Sequence, residues 1–233
     1  MNLKNIINFL NEKIPENLAL DFDNVGLMGD WDLNQNITSI KVFMDISPED
    51  DNNNENTLII THHPPLFTPK TPTYTIHSNW DIIDGGANEA LANTLKLEVI
   101  DYFDKKTKIG RICKSDYTFN ELKNIILKNF KNPRIVNDLD DTAEIKKVGI
   151  ISGFGLKKPE YIKLAKEKNL DILISGDLTQ ETAILAKNIG ITLIDLYHHE
   201  SEIPGLYELS NILSELNIKI EVIDKKPITI LRW

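Results

Sequence analysis

The five histidines of this 233-residue chain lie in two short stretches, and their clustering is the first sign of chemistry. His62 and His63 are adjacent and His77 follows closely, while His198 and His199 form a second adjacent pair. Imidazole is the commonest side-chain ligand for transition metals. Histidines concentrated in this way predict a metal site rather than five unrelated positions.

A carboxylate accompanies each stretch at a spacing of four residues. Asp81 follows His77, and Glu202 follows His198. Each pair alone has an ordinary structural interpretation, since His77 could cap a loop and Glu202 could favour a helix N-terminus electrostatically. Together with the adjacent histidines they indicate a divalent metal site, in which a carboxylate can bridge two ions about 3.5–4 Å apart.

Both adjacent pairs lie at the exits of apolar runs, 57–61 and 191–196, that predict buried strands. In α/β proteins the carboxyl ends of strands line the ligand crevice. Pro64 and Pro65 lack backbone donors and stiffen the first exit. A plain polar turn at this exit is the alternative, but histidine is a poor turn former compared with Gly, Asn or Asp.

The elements that must position these side chains alternate along the chain. Apolar alternation and short apolar runs predict strands at 40–46, 57–61, 148–151, 170–175, 191–196 and 218–222. Helical spacing and caps predict helices at 3–14, 86–97, 118–130, 159–169, 178–189 and 206–216. Predicted loops span 49–56 and 132–144, and an apolar stretch, 228–233, closes the chain. This alternation of strands and helices predicts an α/β protein with largely parallel or mixed sheets covered by helices.

Strands and helices alternate in both halves of the chain, although no residue-level repeat relates the two halves. We therefore predict two domains, residues 1–102 with the first histidine stretch and residues 103–233 with the second. The C-terminal strands are candidates to return to the first half.

The composition excludes several classes of protein. A content of 41% hydrophobic and 26% charged residues is typical of a soluble globular chain. The formal net charge of −9 argues against nucleic acid as the main partner. Lysine pairs could still form a local surface for nucleic acid or a protein, although such pairs are usually solvated. They are Lys105-Lys106, Lys146-Lys147, Lys157-Lys158 and Lys225-Lys226.

The cellular compartment is predicted from the cysteine content and from the absence of targeting segments in the sequence. The single cysteine, Cys113, cannot form an intramolecular disulfide, which favours a reducing interior. We expect it to be a buried thiol rather than a nucleophile, because no histidine lies near it in the sequence. No stretch approaches the ~20 apolar residues of a membrane span, and the start lacks the pattern of a signal peptide. We expect a cytoplasmic protein without a membrane partner.

Three further segments have both a structural and a functional interpretation. The run Asp23-Asn24-Val25-Gly26 is either a turn or part of the crevice. The run Ser152-Gly153-Phe154-Gly155 follows a strand and could offer backbone donors to phosphate, although a tight turn is the commoner case. Asp177 is most simply a helix N-cap.

Five of these segments, in order and spanning residues 23 to 202, resemble the GTP cyclohydrolase 1 type 2 family, also called the Nif-three-like family. They are Asp23-Asn24-Val25-Gly26-Leu27, His62-His63-Pro64, His77-Ser78-Asn79-Trp80-Asp81, Ser175-Gly176-Asp177, and Ile194-Asp195 through His198 to Glu202. Single segments are weak signals, but five in the family's order are strong. The chain is similar to the short members, which lack an inserted middle domain.

The resemblance implies a ligand set for two divalent ions, whose identity could be zinc, iron or manganese. The implied ligands are His62, His63, Asp81, His198 and Glu202. Asp81 and Glu202 are the candidates to bridge the ions. His77 is the implied catalytic residue for proton transfer or substrate contact, and an equal alternative is that it holds Asp81 in place.

Two departures from the family pattern concern the second stretch. Tyr197 stands where the family usually has Gly, and His199 is added directly after His198. Either His198 or His199 could therefore be the ligand, and the spacing to Glu202 favours His198.

The resemblance also implies a fold, an assembly and an activity. The implied fold has two similar α/β halves with the metals in the cleft between them, and the implied assembly is a toroidal homohexamer. The implied activity is metal-dependent hydrolysis of a nucleotide or related heterocycle, with attack at C8 of the GTP purine ring as the family's example. The alternative is a metal-binding regulatory or scaffold protein that binds nucleic acid or a protein partner without physiological catalysis.

Overall fold

The computed structural model describes residues 1–228, and their strands form two sheets. The chain divides into two compact units, the first made of Met1–Ile83 and the segment from Leu206 onward, the second of Asp84–Gly205. The boundary predicted after residue 102 falls between two hydrogen-bonded strands of one sheet, Glu98–Tyr102 and Arg111–Thr118. The predicted α/β class with mixed sheets flanked by helices is confirmed.

The regular elements of residues 1–228 are named in chain order. The strands are β1 (Gly26–Met28), β2 (Ser39–Phe43), β3 (Thr57–Thr61), β4 (Thr73–Thr75), β5 (Glu98–Tyr102), β6 (Arg111–Thr118), β7 (Arg134–Val136), β8 (Glu144–Ile150), β9 (Ile172–Ser175), β10 (Thr192–Asp195) and β11 (Lys219–Ile223). The helices are α1 (Leu3–Lys13), α2 (Ser78–Ile82), α3 (Ala87–Thr94), α4 (Phe119–Asn129), α5 (Pro159–Glu167), α6 (Gln180–Ile189) and α7 (His198–Leu213).

The sheet of the first unit has the strand order β1-β4-β3-β2-β11. Strands β4, β3, β2 and β11 are parallel, and β1 is antiparallel to β4. All five residues of β3 are buried, which explains its uninterrupted apolar run in the sequence. Helix α1 turns Leu3, Ile6 and Leu10 inward, and the side chain of Asn2 caps it by accepting from the backbone of Asn5.

The sheet of the second unit has the order β5-β6-β8-β9-β10-β7, with β8, β9 and β10 parallel at its centre. Helix α4 begins with a capping box, in which the side chains of Thr118 and Glu121 accept hydrogen bonds from each other's backbone N–H groups. Strand β7 corrects the prediction of a loop over 132–144. It is only three residues long and pairs at the sheet edge with β10, so the surrounding Asn and Asp residues hid it in the sequence.

Helix α7 begins at His198, earlier than the predicted start at 206. The helix includes Pro204, which therefore does not mark its start. His198 and Glu202 therefore stand one helical turn apart on the same face.

No helix of residues 1–228 has both the length and the apolar character needed to cross a bilayer. The closing apolar stretch 228–233 lies, apart from Ile228, outside the described residues.

Candidate metal-ligand clusters

The first-unit cluster lies at the carboxyl ends of three neighbouring parallel strands. It consists of His62, His63, His77 and Asp81. His62 and His63 leave β3, and their backbone N–H groups donate to Phe43 O (3.0 Å) and Met44 O (2.9 Å). The histidine pair is thus fixed to the chain that leaves β2, while His77 follows β4.

The three imidazoles of this cluster converge. Their ring centroids are 4.9 Å apart for His62 and His63, 5.0 Å for His62 and His77, and 5.2 Å for His63 and His77. One ring nitrogen of each lies within 4.8 Å of the others, a spacing that could hold a metal ion. Asp81, which is 7% exposed, places Oδ1 3.7 Å from Nε2 of His62, beyond hydrogen-bond reach.

Each ring of the first-unit cluster has an oxygen partner at Nδ1. The partners are Ile76 O for His62 (3.1 Å), Asp45 Oδ1 for His63 (2.8 Å) and Asp23 Oδ1 for His77 (2.7 Å). When Nδ1 carries the proton of such a bond, Nε2 carries the lone pair that a metal ion needs. This support of the second ring nitrogen is the usual arrangement around metal-ligating histidines.

Asp23 resolves the open interpretation of the 23–26 segment, because its carboxylate positions His77. Its Oδ2 also accepts a bond from the backbone N–H of Ser78 at 2.9 Å. Burial alone would raise the pKa of Asp23, but the hydrogen bonds from His77 and Ser78 outweigh burial and hold the pKa well below its usual range. Asp23 is therefore a charged acceptor at any physiological pH. Asp45 was missed in the sequence, although it follows β2 as the histidines follow β3.

The second-unit cluster repeats this arrangement at the carboxyl ends of β8, β9 and β10. It consists of His198, Glu202 and Asp177. Nδ1 of His198 lies 3.0 Å from Asp177 Oδ2, and Nε2 lies 3.3 Å from Glu202 Oε2. Burial alone would lower the pKa of His198, but the bonds to these two carboxylates raise it to about 10. The proton held at Nε2 is the one that a metal ion would replace.

The prediction that Asp177 caps a helix is wrong. Helix α6 is capped by Thr179, whose side chain accepts from the backbone of Thr182. Asp177 adopts a left-handed backbone (φ 62°) and turns its carboxylate to His198 instead. Thr179, two residues further on, is also a favoured N-cap type, so the sequence alone could not assign the role.

Gly153, at the exit of β8, makes room for Glu202. A Cβ at this position would lie 2.2 Å from Glu202 Oε1 and 3.3 Å from His198 Nε2, and its φ is +76°. Glycine is required here for both reasons. The adjacent His199 is 8% exposed, and it is His198 whose Nε2 approaches Glu202.

Cys113 and the four lysine pairs are the candidates that remain. Cys113 is buried in the core of the second unit, and burial raises its pKa to about 12, so it is an inert thiol. One member of each lysine pair forms an ion pair with a carboxylate, which reduces the positive charge that the pairs present. These ion pairs are Lys105–Asp101, Lys146–Glu144, Lys157–Asp177 and Lys225–Asp50.

The fold and the two clusters define this α/β chain as a candidate metalloprotein. The imidazoles of these clusters are held by hydrogen bonds at Nδ1, and they lie with buried carboxylates at the carboxyl ends of strands. Nitrogen and oxygen donors of this kind suit zinc, iron and manganese. The family model Duf34/NIF3 (NGG1p interacting factor 3) matches residues 1–73 and 70–227, and the chain belongs to this family.

Individual relatives agree with this assignment. The chain is 34% identical to the GTP cyclohydrolase 1 type 2 homolog of Methanothermobacter thermautotrophicus, over 95% of this chain and 92% of the relative. The homolog of Clostridium perfringens is 32% identical over 97% of each chain. Among solved structures, reduced HcgD from Methanocaldococcus jannaschii has a TM-score of 0.84 at 29% identity, covering 97% of this chain and 98% of that one. The resemblance drawn from the sequence motifs is confirmed.

Proposed function

We propose that the chain is a dinuclear metal-dependent hydrolase acting on a nucleotide or a related heterocycle. The proposed ligands of the two divalent ions are His62, His63, Asp81, His198 and Glu202. Asp81 and Glu202 are the proposed bridging carboxylates, and the proposed metals are zinc, iron or manganese. The name of the relatives, GTP cyclohydrolase 1 type 2 homolog, supports a purine nucleotide as the substrate.

One observation carries this proposal, namely the support of the ring nitrogens. His62, His63, His77 and His198 each place Nδ1 on an oxygen acceptor. An imidazole held in this way presents Nε2 in a fixed direction, as metal ligands require. Four such rings, in a chain with five histidines, exceed what turns or helix caps need.

Bound ions of this kind lower the pKa of an attacking water and stabilise charge on the group attacked. The residues of the chain supply orientation and proton transfer. Asp23 keeps Nδ1 of His77 engaged, so that Nε2 is the atom that accepts a proton and returns it. The low pKa of Asp23 keeps this orientation across the working pH range.

Metal content per chain tests the ligand assignment. We expect about two ions per chain in the wild type and a reduced content in Glu202→Ala. Glu208→Ala, which removes a carboxylate further along α7, is the matched control and should retain the wild-type content. A wild-type chain that contains no metal, and that takes up no added zinc, iron or manganese, would contradict the assignment.

Substitution of His77 separates ligand from catalytic roles. If His77 transfers protons, His77→Gln should retain the metal content and lose most turnover of GTP in the metal-restored protein. Asp81→Ala should lose both. Full metal content without turnover of any nucleotide in the wild type would exclude the hydrolase and leave a metal-binding protein with a regulatory or scaffold role.

We also propose that the chain associates with itself as a toroidal homohexamer. The residues Phe22 and Leu66 are 84% and 101% exposed relative to an extended chain, and association would cover such apolar groups. Light scattering coupled to gel filtration should give the mass of six chains. A monomeric mass at micromolar concentration would contradict the proposal.

A further inference from the structure

A cavity of about 340 Å³ lies in the second unit beside His198. Arg134, Lys157 and Tyr197 are among the residues that line it. The cavity therefore has two cations and an aromatic ring next to a proposed metal ligand, and the carboxylate of Asp177 also lines it. The side chains of Arg134, Lys157 and Tyr197 have no part in the function proposed above.

The guanidinium of Arg134 is fixed before any ligand arrives. Its Nε lies 2.6 Å from Oδ2 of Asp195, its Nη2 lies 3.3 Å from Leu178 O, and its centre lies 5.0 Å from the centroid of the Tyr197 ring. Within residues 1–228, Nη1 makes no hydrogen bond. The side chain of Asp195 is fully buried and that of Arg134 is 48% exposed, so an incoming anion meets the guanidinium and not the carboxylate.

Tyr197 lines the cavity in a strained backbone conformation. Its φ of 66° lies in the left-handed region, where glycine is the low-cost residue and an aromatic residue is rare. Its backbone N–H donates to Oδ1 of Asp195 at 3.1 Å, so the same buried carboxylate fixes both the tyrosine and the arginine. A strained aromatic residue that stacks on a fixed cation is typical of a binding site.

Lys157 supplies the second cation from another part of the unit. Its Nζ lies 3.2 Å from Oδ2 of Asp177, the oxygen that also contacts His198, and its side chain is 48% exposed. Lys158, its neighbour in the chain, is exposed but does not line the cavity.

We propose that this cavity is an anion subsite that takes a phosphate group of the substrate through Arg134 and Lys157. Asp195 already occupies the Nε–Nη2 edge of the guanidinium, so an incoming anion meets the Nη1 side of Arg134. A tetrahedral phosphate presents oxygens to two cations that approach from different elements. The role of the subsite in holding substrate rests on the proposed hydrolase function, whereas anion binding itself does not.

The test is calorimetric titration of the full-length protein with inorganic pyrophosphate at low salt. Lys157→Gln removes one charged contact and should weaken binding about tenfold. Lys158→Gln is the matched control and should stay within about twofold of the wild type, since a diffuse charge effect would act on both lysines. Arg134→Gln leaves Asp195 buried without its cation and could unfold the chain, so Lys157→Gln is the decisive variant.

Two further variants separate the cavity from the metal and from backbone effects. Glu202→Ala, which is expected to lose metal, should still bind pyrophosphate. Tyr197→Gly should relieve the backbone and yet weaken binding, because Arg134 loses its stacking partner. Binding that is lost in Glu202→Ala and unchanged in Lys157→Gln would place the anion on the metal and overturn the subsite. Equal weakening by both lysine variants would overturn it as well.

The same data distinguish this inference from the proposed function. Pyrophosphate binding that depends on Lys157, in a chain without metal or turnover, supports the subsite and refutes the hydrolase. Turnover that depends on Asp81, with pyrophosphate binding insensitive to Lys157, supports the hydrolase and refutes the subsite.

Discussion

Replacement of Gly153 by alanine should disable the second-unit cluster by displacing Glu202. The new Cβ would lie 2.2 Å from Oε1 of Glu202, so the carboxylate must move by about 1 Å to restore van der Waals distance. Glu202 is 3% exposed, so its carboxylate moves among closely packed neighbours. Displacement of a ligand or its support typically costs 10–100-fold in metal affinity, and we expect a loss of about that size.

The backbone of Gly153 contributes a second effect that needs its own control. An L-residue at φ +76° costs roughly 1–2 kcal/mol, which in a chain of this length lowers Tm by about 2–8 °C. Gly85 belongs to the same unit and has φ +79°, with nothing within 4 Å of a built Cβ. Gly85→Ala should therefore show the loss of Tm without the loss of metal.

The assay is metal affinity by chelator competition, alongside thermal unfolding of both variants. The expected pattern is a lower Tm in both and a weaker metal affinity in Gly153→Ala alone. Wild-type metal affinity in Gly153→Ala would refute the reasoning, because the carboxylate would then have moved without consequence. An equal loss of affinity in Gly85→Ala would refute it too.

Three further predictions concern single groups. Because the pKa of His198 is raised to about 10, its imidazole carries an extra proton at pH 7 in the metal-free chain. Metal uptake should therefore release a proton, and the apparent metal affinity should rise up to about tenfold for each pH unit of increase below that pKa. Calorimetry in buffers of different ionisation enthalpy measures the proton release. Cys113, whose pKa is raised to about 12, should react with an aromatic disulfide reagent only in denaturant, and rapid labelling of the native chain at pH 8 would contradict its burial. Thr179→Ala should lower the free energy of unfolding by about 1 kcal/mol through loss of the α6 cap, whereas an unchanged denaturation midpoint would show that the cap contributes nothing.

The strand exits that carry the histidines could be predicted because they depend on local sequence. A buried strand such as β3 shows itself as an apolar run, and adjacent histidines after it are conspicuous. Helix starts with two reciprocal side chains, such as Thr118 and Glu121, are equally legible. These signals lie within a few residues of the feature that they predict.

The supporting carboxylates could not be predicted because each acts across a long separation in the chain. Asp23 lies 54 residues from His77, Asp45 lies 18 from His63, and Asp177 lies 21 from the residue that it supports. Parallel pairing of β2 with β3 and of β9 with β10 brings Asp45 and Asp177 to their histidines, whereas antiparallel pairing of β1 with β4 brings Asp23 to His77. The start of α7 at His198 was not predicted either, because the apolar helical spacing in the sequence begins only at Leu206.

The first-unit cluster forms only when β2 and β3 pair in the correct register, because backbone hydrogen bonds join His62 and His63 to Phe43 and Met44. A slip of β3 by one residue would turn each side chain to the opposite face of the sheet and move His63 away from Asp45. A chain that has bound metal through these histidines has therefore already paired β2, β3 and β4 correctly. With the proposed ligand set, metal uptake during refolding would distinguish correctly registered chains from misregistered ones before any catalytic assay could.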